Sequence, residues 1–432
     1  MKMTSRKVRL SNMKITLREW QSEVLQEVEL KTKQEQELAR MLTESEIVKI
    51  IELKEGLSIS TNSFVGSIQL GDIQLSIMPK IQGMELLTLL NYAYYLHDIK
   101  IMHQSDFNLE SYSFLDIIIY QLYIHTEDLL SKGVHRGYIR REEDLASPKG
   151  RLDFTKIARN QALKKATLPS RYYERNEDNL LNQVLLAGLK RCVTLVNDQN
   201  LRIHLRRLVT YLDEYISSIV LTRQIIQKAQ RTLNRLSERY RPLLEIITLL
   251  QENQGIQLDG ENQVMSLHGF FFDMNRFFEM LVSKLIREFV PDYTLMDQHR
   301  LRGMFTYEAN QNPKHRRSPT PRPDIAIMKN NKVVKLMDAK YKDLWEHALP
   351  RDMLYQLAIY ALSSEGNKTA TIIYPSLNEM ASTQKINISN PTSSHHLGSV
   401  ILLPLHVNYV AKCLEDKSRN RKELVKYMSS FV

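Results

Sequence analysis

Two short apolar runs, Ile325-Ala326-Ile327-Met328 and Val333-Val334-Lys335-Leu336-Met337, are separated only by Lys329-Asn330-Asn331-Lys332, which is polar and turn-prone. This pattern predicts a β-hairpin. Asp324 stands just before the first strand and Asp338 just after the core of the second. Pairing across the turn brings the two carboxylates to the same end of the hairpin. Asp338 and Lys340 are two residues apart, so on an extended strand their side chains share a face. Two carboxylates and one ammonium converging in this way suit metal-dependent phosphodiester hydrolysis. The carboxylates are candidate oxygen ligands for Mg²⁺, a hard cation that keeps part of its water. Mn²⁺ is a second candidate. The lysine can orient the attacking water or stabilise charge developing on the phosphate.

A proline-aspartate followed by D-x-K, as in Pro323-Asp324 and Asp338-Ala339-Lys340, resembles the PD-(D/E)xK nuclease signature. Its neighbours extend the likeness. Upstream, Met274, Phe277, Phe278, Leu281 and Leu285 fall at helical spacing and leave Glu279 off the apolar stripe. Nucleases of this kind carry a further acidic group on such a helix; a solvated helix glutamate is the other reading. Downstream, Met353, Leu354, Leu357, Ala358 and Ala361 mark a second amphipathic helix, on which Gln356 and Tyr360 lie four apart and share a side. A Q-x-x-x-Y pair after D-x-K can touch the phosphate backbone or the lysine. Ordinary surface hydrogen bonding is the alternative.

The formal charge of +10 suits a polyanionic partner. No acidic residue falls between Glu308 and Asp324, while Lys314, Arg316, Arg317 and Arg322 alternate with prolines there. These four are candidate DNA contacts, a solvated insertion being the competing reading. A second basic run, Arg202, His204, Arg206 and Arg207, continuing with Arg231, Arg235, Arg239 and Arg241, reads as a solvated helix face. The two cysteines, Cys192 and Cys413, supply neither a disulfide framework nor a zinc site. No apolar run approaches the length of a bilayer span and no signal-peptide pattern opens the chain, so a soluble cytoplasmic protein without membrane contact is expected.

The expected architecture is multidomain, α+β or α/β. Residues 1–82 read as a β-rich domain with a hairpin around Gly71-Asp72; the stretch from Leu17 to Leu53 is open between helix and strand. Residues 83–262 read as mostly helical, beginning with Leu86, Leu87, Leu89 and Leu90. Tyrosines at 92, 94, 95 and 112–123 are read as core. A polar connector spans about 134–180, and Gly255, Gly260 and Gly269 flank the entry to a third domain, 263–432. There, strands are expected at 369–375 and 398–404, with a basic helix at 417–427.

Several segments together resemble the McrC family, the nuclease subunit of McrBC-type modification-dependent restriction systems. They are Val65-Gly66-Ser67-Ile68, Ile77-Met78-Pro79-Lys80-Ile81, 144–154, 173–182, 272–279, Pro323-Asp324, 338–341 and Gln356. The resemblance implies a C-terminal PD-(D/E)xK domain with a restriction-endonuclease-like mixed sheet flanked by helices. It implies catalytic roles for Asp324, Asp338, Lys340, Glu279, Gln356 and Tyr360, with metal at Asp324, Asp338 and Ala339. The implied partners are an AAA+ GTPase of McrB type in a hexameric ring, contacted by the N-terminal domain, and double-stranded DNA with modified cytosine. The chain has no G-x-x-x-x-G-K-[ST] loop, so GTP would act only through that partner. A non-catalytic activator of the GTPase and a stand-alone repair nuclease are the alternative functions.

Overall fold

The computed structural model describes residues 13–81, 83–94, 113–162, 167–252, 269–363 and 368–432. Residues 82, 262 and 263, where the sequence placed domain boundaries, lie outside this set, as do Tyr95, Tyr112, Gly255 and Gly260. The chain packs as two compact units, one of them discontinuous: its N-terminal and C-terminal segments belong together, and the middle segment is separate.

The first unit opens with β1 (Met13–Arg18), β2 (Ser22–Gln26), α1 (Lys33–Glu44), β3 (Val48–Leu53), β4 (Gly56–Thr61), β5 (Phe64–Leu70), β6 (Ile73–Met78) and α2 (Gly83–Tyr94). The second holds α3 (Phe114–Ser131), β7 (Gly137–Leu145), β8 (Arg151–Leu152), α4 (Phe154–Ala162), β9 (Leu168–Asn176), α5 (Leu180–Leu195), α6 (Gln199–Asp213), α7 (Arg223–Thr232) and α8 (Arg241–Glu252). The chain re-enters the first unit through β10 (Gly269–Asp273), α9 (Met274–Phe289), β11 (Thr294–Asp297), β12 (Ile325–Lys329) and β13 (Lys332–Ala339). It ends with α10 (Arg351–Ser363), β14 (Thr369–Ser376), β15 (Gln384–Ser389), β16 (His396–His406), α11 (Val407–Glu415) and α12 (Lys417–Ser429).

In the N-terminal part, Ile68, Leu70, Ile73, Leu75 and Ile77 alternate inward on β5 and β6, joined at Gly71, whose φ of +58° suits glycine. The open stretch 17–53 resolves into two strands, a helix and a third strand. Its helix starts at a capping box, Thr32 accepting from Glu35 N while the Glu35 side chain accepts from Thr32 N. Phe270, Phe271 and Phe272 form β10 and pair antiparallel with β5. Gly66 permits this close approach: with φ +143°, a Cβ there would lie 1.9 Å from the Phe270 carbonyl oxygen. The resulting sheet has the order β1-β6-β5-β10, with β1 and β6 parallel.

The larger sheet has the order β11-β12-β13-β14-β16-β15. Its middle strands β13, β14 and β16 are parallel and its flanks antiparallel. Strand β14 is buried along nearly its whole length, as expected of a central strand covered on both faces. The β12–β13 turn is a two-residue loop with Asn330 and Asn331 both at positive φ, the twist that favours a tight hairpin. Helix α9 begins where Asp273 Oδ1 accepts from Asn275 N (2.9 Å) and Arg276 N (3.3 Å). It buries Met274, Phe277, Phe278, Leu281 and Leu285 as their spacing predicted.

The second unit corrects the polar connector at 134–180. Its residues form a three-stranded antiparallel sheet, β7-β9-β8, with α4 between strands. The strands escape a hydrophobicity reading because much of their exposed face is charged, with Glu142 beside Arg171 at 2.8 Å and Arg141 beside Glu174 at 3.2 Å. The helical remainder is as expected. Segment 173–182 acts structurally there: buried Asn182 donates to the carbonyls of His135 (2.9 Å) and Glu177 (2.6 Å) and accepts from the Tyr240 hydroxyl. Arg202, Arg206 and Arg207 lie on α6 at or near its solvent surface, whereas Arg235 is outside any helix, so the second basic run is not one helix face. Among the described residues no helix is long and apolar enough to cross a membrane.

Candidate active site

Asp324 immediately precedes β12, and the hairpin register that pairs Ile325 with Met337 sets it across from Asp338 on β13. The hairpin therefore brings the two carboxylates together at one end, with Lys340 between them. The Lys340 ammonium lies 3.1 Å from Asp338 Oδ2 and 3.3 Å from Asp324 Oδ2. Asp324 Oδ2 also accepts from Ala339 N at 3.1 Å, which locks the end of β13 to the start of β12. Asp338 is 2% exposed, and its Oδ1 is buried with no hydrogen-bond partner.

Burial, then the neighbouring Asp324 charge, holds the Asp338 carboxyl well above the usual carboxylate range, with Lys340 opposing both. Burial alone would lower the Lys340 ammonium, but the Asp338 and Asp324 carboxylates outweigh it and keep the group charged. Half-buried Glu279 on α9 is pushed up to about 7, first by burial and then by Asp324, Lys340 again opposing. Among the described residues it makes no hydrogen bond to the other three; it meets them through charge.

Gln356 and Tyr360 form a direct pair, Gln356 Nε2 donating to the Tyr360 hydroxyl at 2.7 Å. This is not the surface contact that was the alternative reading. The Tyr360 ring is 1% exposed, inside a core that includes Leu336, Ile372 and Leu402. Burial raises its hydroxyl pKa, and the hydroxyl feels Asp338, Asp324 and Lys340 without bonding to them. Lys314, Arg316, Arg317 and Arg322 are exposed on the segment leading into Asp324. Only Arg322 is tied to the cluster, its Nε donating to the Gln298 carbonyl at 3.3 Å.

Three residues that sequence reasoning missed complete the surroundings. Gln298, at φ +53°, donates from Nε2 to Asp324 Oδ1 at 3.2 Å and from its backbone to Asp324 O at 2.7 Å. Asn275 accepts from Tyr341 N at 3.2 Å and donates to Ser63 Oγ at 2.7 Å. Glu19, 2% exposed after β1, accepts at Oε2 from the Tyr341 hydroxyl (3.1 Å) and from Lys80 N (3.0 Å). None has a periodic signature, because each acts on a residue distant in sequence.

Burial pushes Glu19 up to about 8, against hydrogen bonds from Lys80 and Tyr341. Its folded value lies above its unfolded one, so the stabilisation is present at acid pH and is lost as pH rises from about 4.5 through 8. Glu19→Gln is therefore expected to flatten this slope. Denaturant unfolding should find the variant more stable than wild type at pH 8, by of order a few kcal/mol, with the gain gone at pH 5. An equal difference at both pH values would sink the assignment.

The donor set suits a hard cation. Every candidate ligand is oxygen, and one buried Asp338 oxygen lacks a partner. Among the described residues no three His, Cys, Asp or Glu side chains converge closely enough to hold an ion by themselves. Two carboxylates and a carbonyl with water completing the shell is a Mg²⁺ pattern.

The fold and site thus define a multidomain α+β protein with a carboxylate–lysine cluster at the end of a hairpin in a mixed sheet. The chain belongs to the McrBC 5-methylcytosine restriction system component family, whose sequence profile matches residues 59–375. In fold it is similar to a chain from the tetradecameric assembly of Thermococcus gammatolerans McrB AAA+ hexamers with bound McrC. The TM-score is 0.66 at 19% identity, over 97% of this chain and 100% of that one. A chain of the Thermococcus gammatolerans McrBC complex gives 0.48 at 21% identity, over 64% and 88%. No curated protein matches the chain.

Proposed function

We propose that this chain is the endonuclease subunit of a GTP-dependent restriction complex that cuts DNA bearing modified cytosine, and that its C-terminal sheet is a PD-(D/E)xK nuclease core. The observation that carries the reading is the meeting of Asp324, Asp338 and Lys340 at one end of the β12–β13 hairpin. Family membership supplies the biological setting. The assembly whose chain it resembles in fold contains McrB AAA+ hexamers with bound McrC, which supports a partner of that kind here.

Asp324, Asp338 and the Ala339 carbonyl would hold Mg²⁺. A bound Mg²⁺ neutralises phosphate charge and acidifies water. Lys340 Nζ orients the attacking water or donates to the phosphate oxygen on which charge grows as the P–O bond breaks. Glu279, raised to about 7, is suited to take a proton from that water near neutral pH. The Gln356–Tyr360 pair shapes the wall beside Asp338.

The test is cleavage of methylated and unmethylated plasmid by the purified chain with Mg²⁺, with and without a McrB-type GTPase and GTP. Cutting only of methylated plasmid, and only in the complete reaction, is the expected result. Cutting by the chain alone would replace this reading with a stand-alone nuclease. Faster GTP hydrolysis without any cutting would leave it an activator.

A further inference from the structure

Between Gln298 and Asp324 the chain forms a closed arm with two limbs. Gln298 N donates to Asp324 O at 2.7 Å and Leu301 N to Pro321 O at 3.0 Å, which ties the limbs together at the base. Asn312 turns the far end, accepting from Arg316 N and donating to Arg316 O, both at 2.8 Å. The arm carries Arg300, Arg302, Lys314, Arg316, Arg317 and Arg322 against one acid, Glu308, before Asp324. All six cations are exposed, and among the described residues none pairs with a carboxylate. Elsewhere Arg136, Arg140, Arg141, Arg171, Arg241 and Arg287 each sit against one. Phe305 and Tyr307 on the first limb are 38% and 44% exposed in this cationic setting.

An arm whose cations pair with no carboxylate among the described residues, anchored through Gln298 to a candidate metal carboxylate, fits a polyanion lying across the site. We propose that both limbs form a clamp on duplex DNA. Arg300 and Arg302 on the first limb join the second-limb cations on phosphates flanking the scissile one, and Phe305 and Tyr307 pack against sugar and base edges. The clamp rests on the nuclease reading for the identity of the polyanion.

The experiment measures binding of the full chain to a 5′-labelled duplex by fluorescence anisotropy between 50 and 200 mM salt, in Ca²⁺ without Mg²⁺. It compares wild type with Arg300→Ala/Arg302→Ala, Phe305→Ala/Tyr307→Ala and, as a charge-matched control on α6, Arg206→Ala/Arg207→Ala. Losing two phosphate contacts should reduce the slope of log K against log salt by about 1.8. Over that salt range the arginine variant should then lose roughly tenfold less affinity than wild type. The aromatic variant should bind more weakly with an unchanged slope, and the α6 control should match wild type.

Failure of wild type to bind duplex, wild-type slopes in the arginine variant, or an equal loss in the control would each overturn the clamp. Tighter binding of a single strand of the same length would overturn its duplex assignment. Cleavage is scored separately. A chain that grips duplex through the first limb yet never cuts, even with its partner, sinks the nuclease reading and spares the clamp. Limb variants that bind normally sink the clamp whether or not the chain cuts.

Discussion

Replacing Asp338 with asparagine is expected to abolish DNA cleavage, by at least about a thousandfold, while raising the melting temperature at pH 8. The two effects share one cause. Asp338 is 2% exposed, with one oxygen unpartnered and a second carboxylate beside it, so its ionised form is held at a cost to the fold. Asparagine keeps the shape and removes that charge. A gain of about 1–2 kcal/mol corresponds to roughly 2–6 °C in a unit of this size. Cleavage and thermal unfolding of the same preparation check both halves. Retained cutting would remove Asp338 from the metal site. Lost cutting together with a sharp fall in melting temperature would show that Asp338 acts mainly to hold the hairpin together.

Lys340→Met is expected to lose cleavage about 10²–10³-fold and, unlike the asparagine variant, to destabilise the protein. The ammonium stands within 3.3 Å of both carboxylates. Its removal leaves buried Asp338 facing half-buried Asp324 without a counter-charge, a loss of about 3–5 kcal/mol where a buried pair is broken. A double variant with Asp338→Asn should recover most of that stability, since the repulsion needs both carboxylates. Mg²⁺ should raise the melting temperature of Lys340→Met more than that of wild type, because the cation takes over the neutralisation. The unfolding measurements make up a double-mutant cycle with and without Mg²⁺. Additive stability changes with no metal response would deny Lys340 its place between the acids.

The cluster itself was legible from sequence because its parts are local. Asp324 and Asp338 are joined by two strands and a tight turn, and the alternation of a strand orients Asp338 and Lys340 together. The helices around it were legible for the same reason: Phe277, Phe278 and Leu281 recur at helical spacing. Tyr360 was only half legible. Its spacing placed it on the same side of the helix as Gln356, but the bond between the two and the burial of its ring came only with the structure, the latter through Ile372 and Leu402, which arrive on later strands. The charged sheet of the second unit was hidden because charged residues, such as Glu142, Arg171, Arg141 and Glu174, stand along its strands in place of a clear apolar alternation.

Sequence alone determined the hairpin, its acids and lysine, the amphipathic helices beside it and the excess of positive charge. These follow from side-chain chemistry and periodicity within a few residues of chain. Tertiary structure alone decided that β10 returns to the N-terminal sheet, that Gln298 braces Asp324 and that Glu19 reaches Tyr341. Such contacts join residues far apart in the chain. They arise from packing and from satisfying buried polar groups, and leave no repeating mark in the sequence.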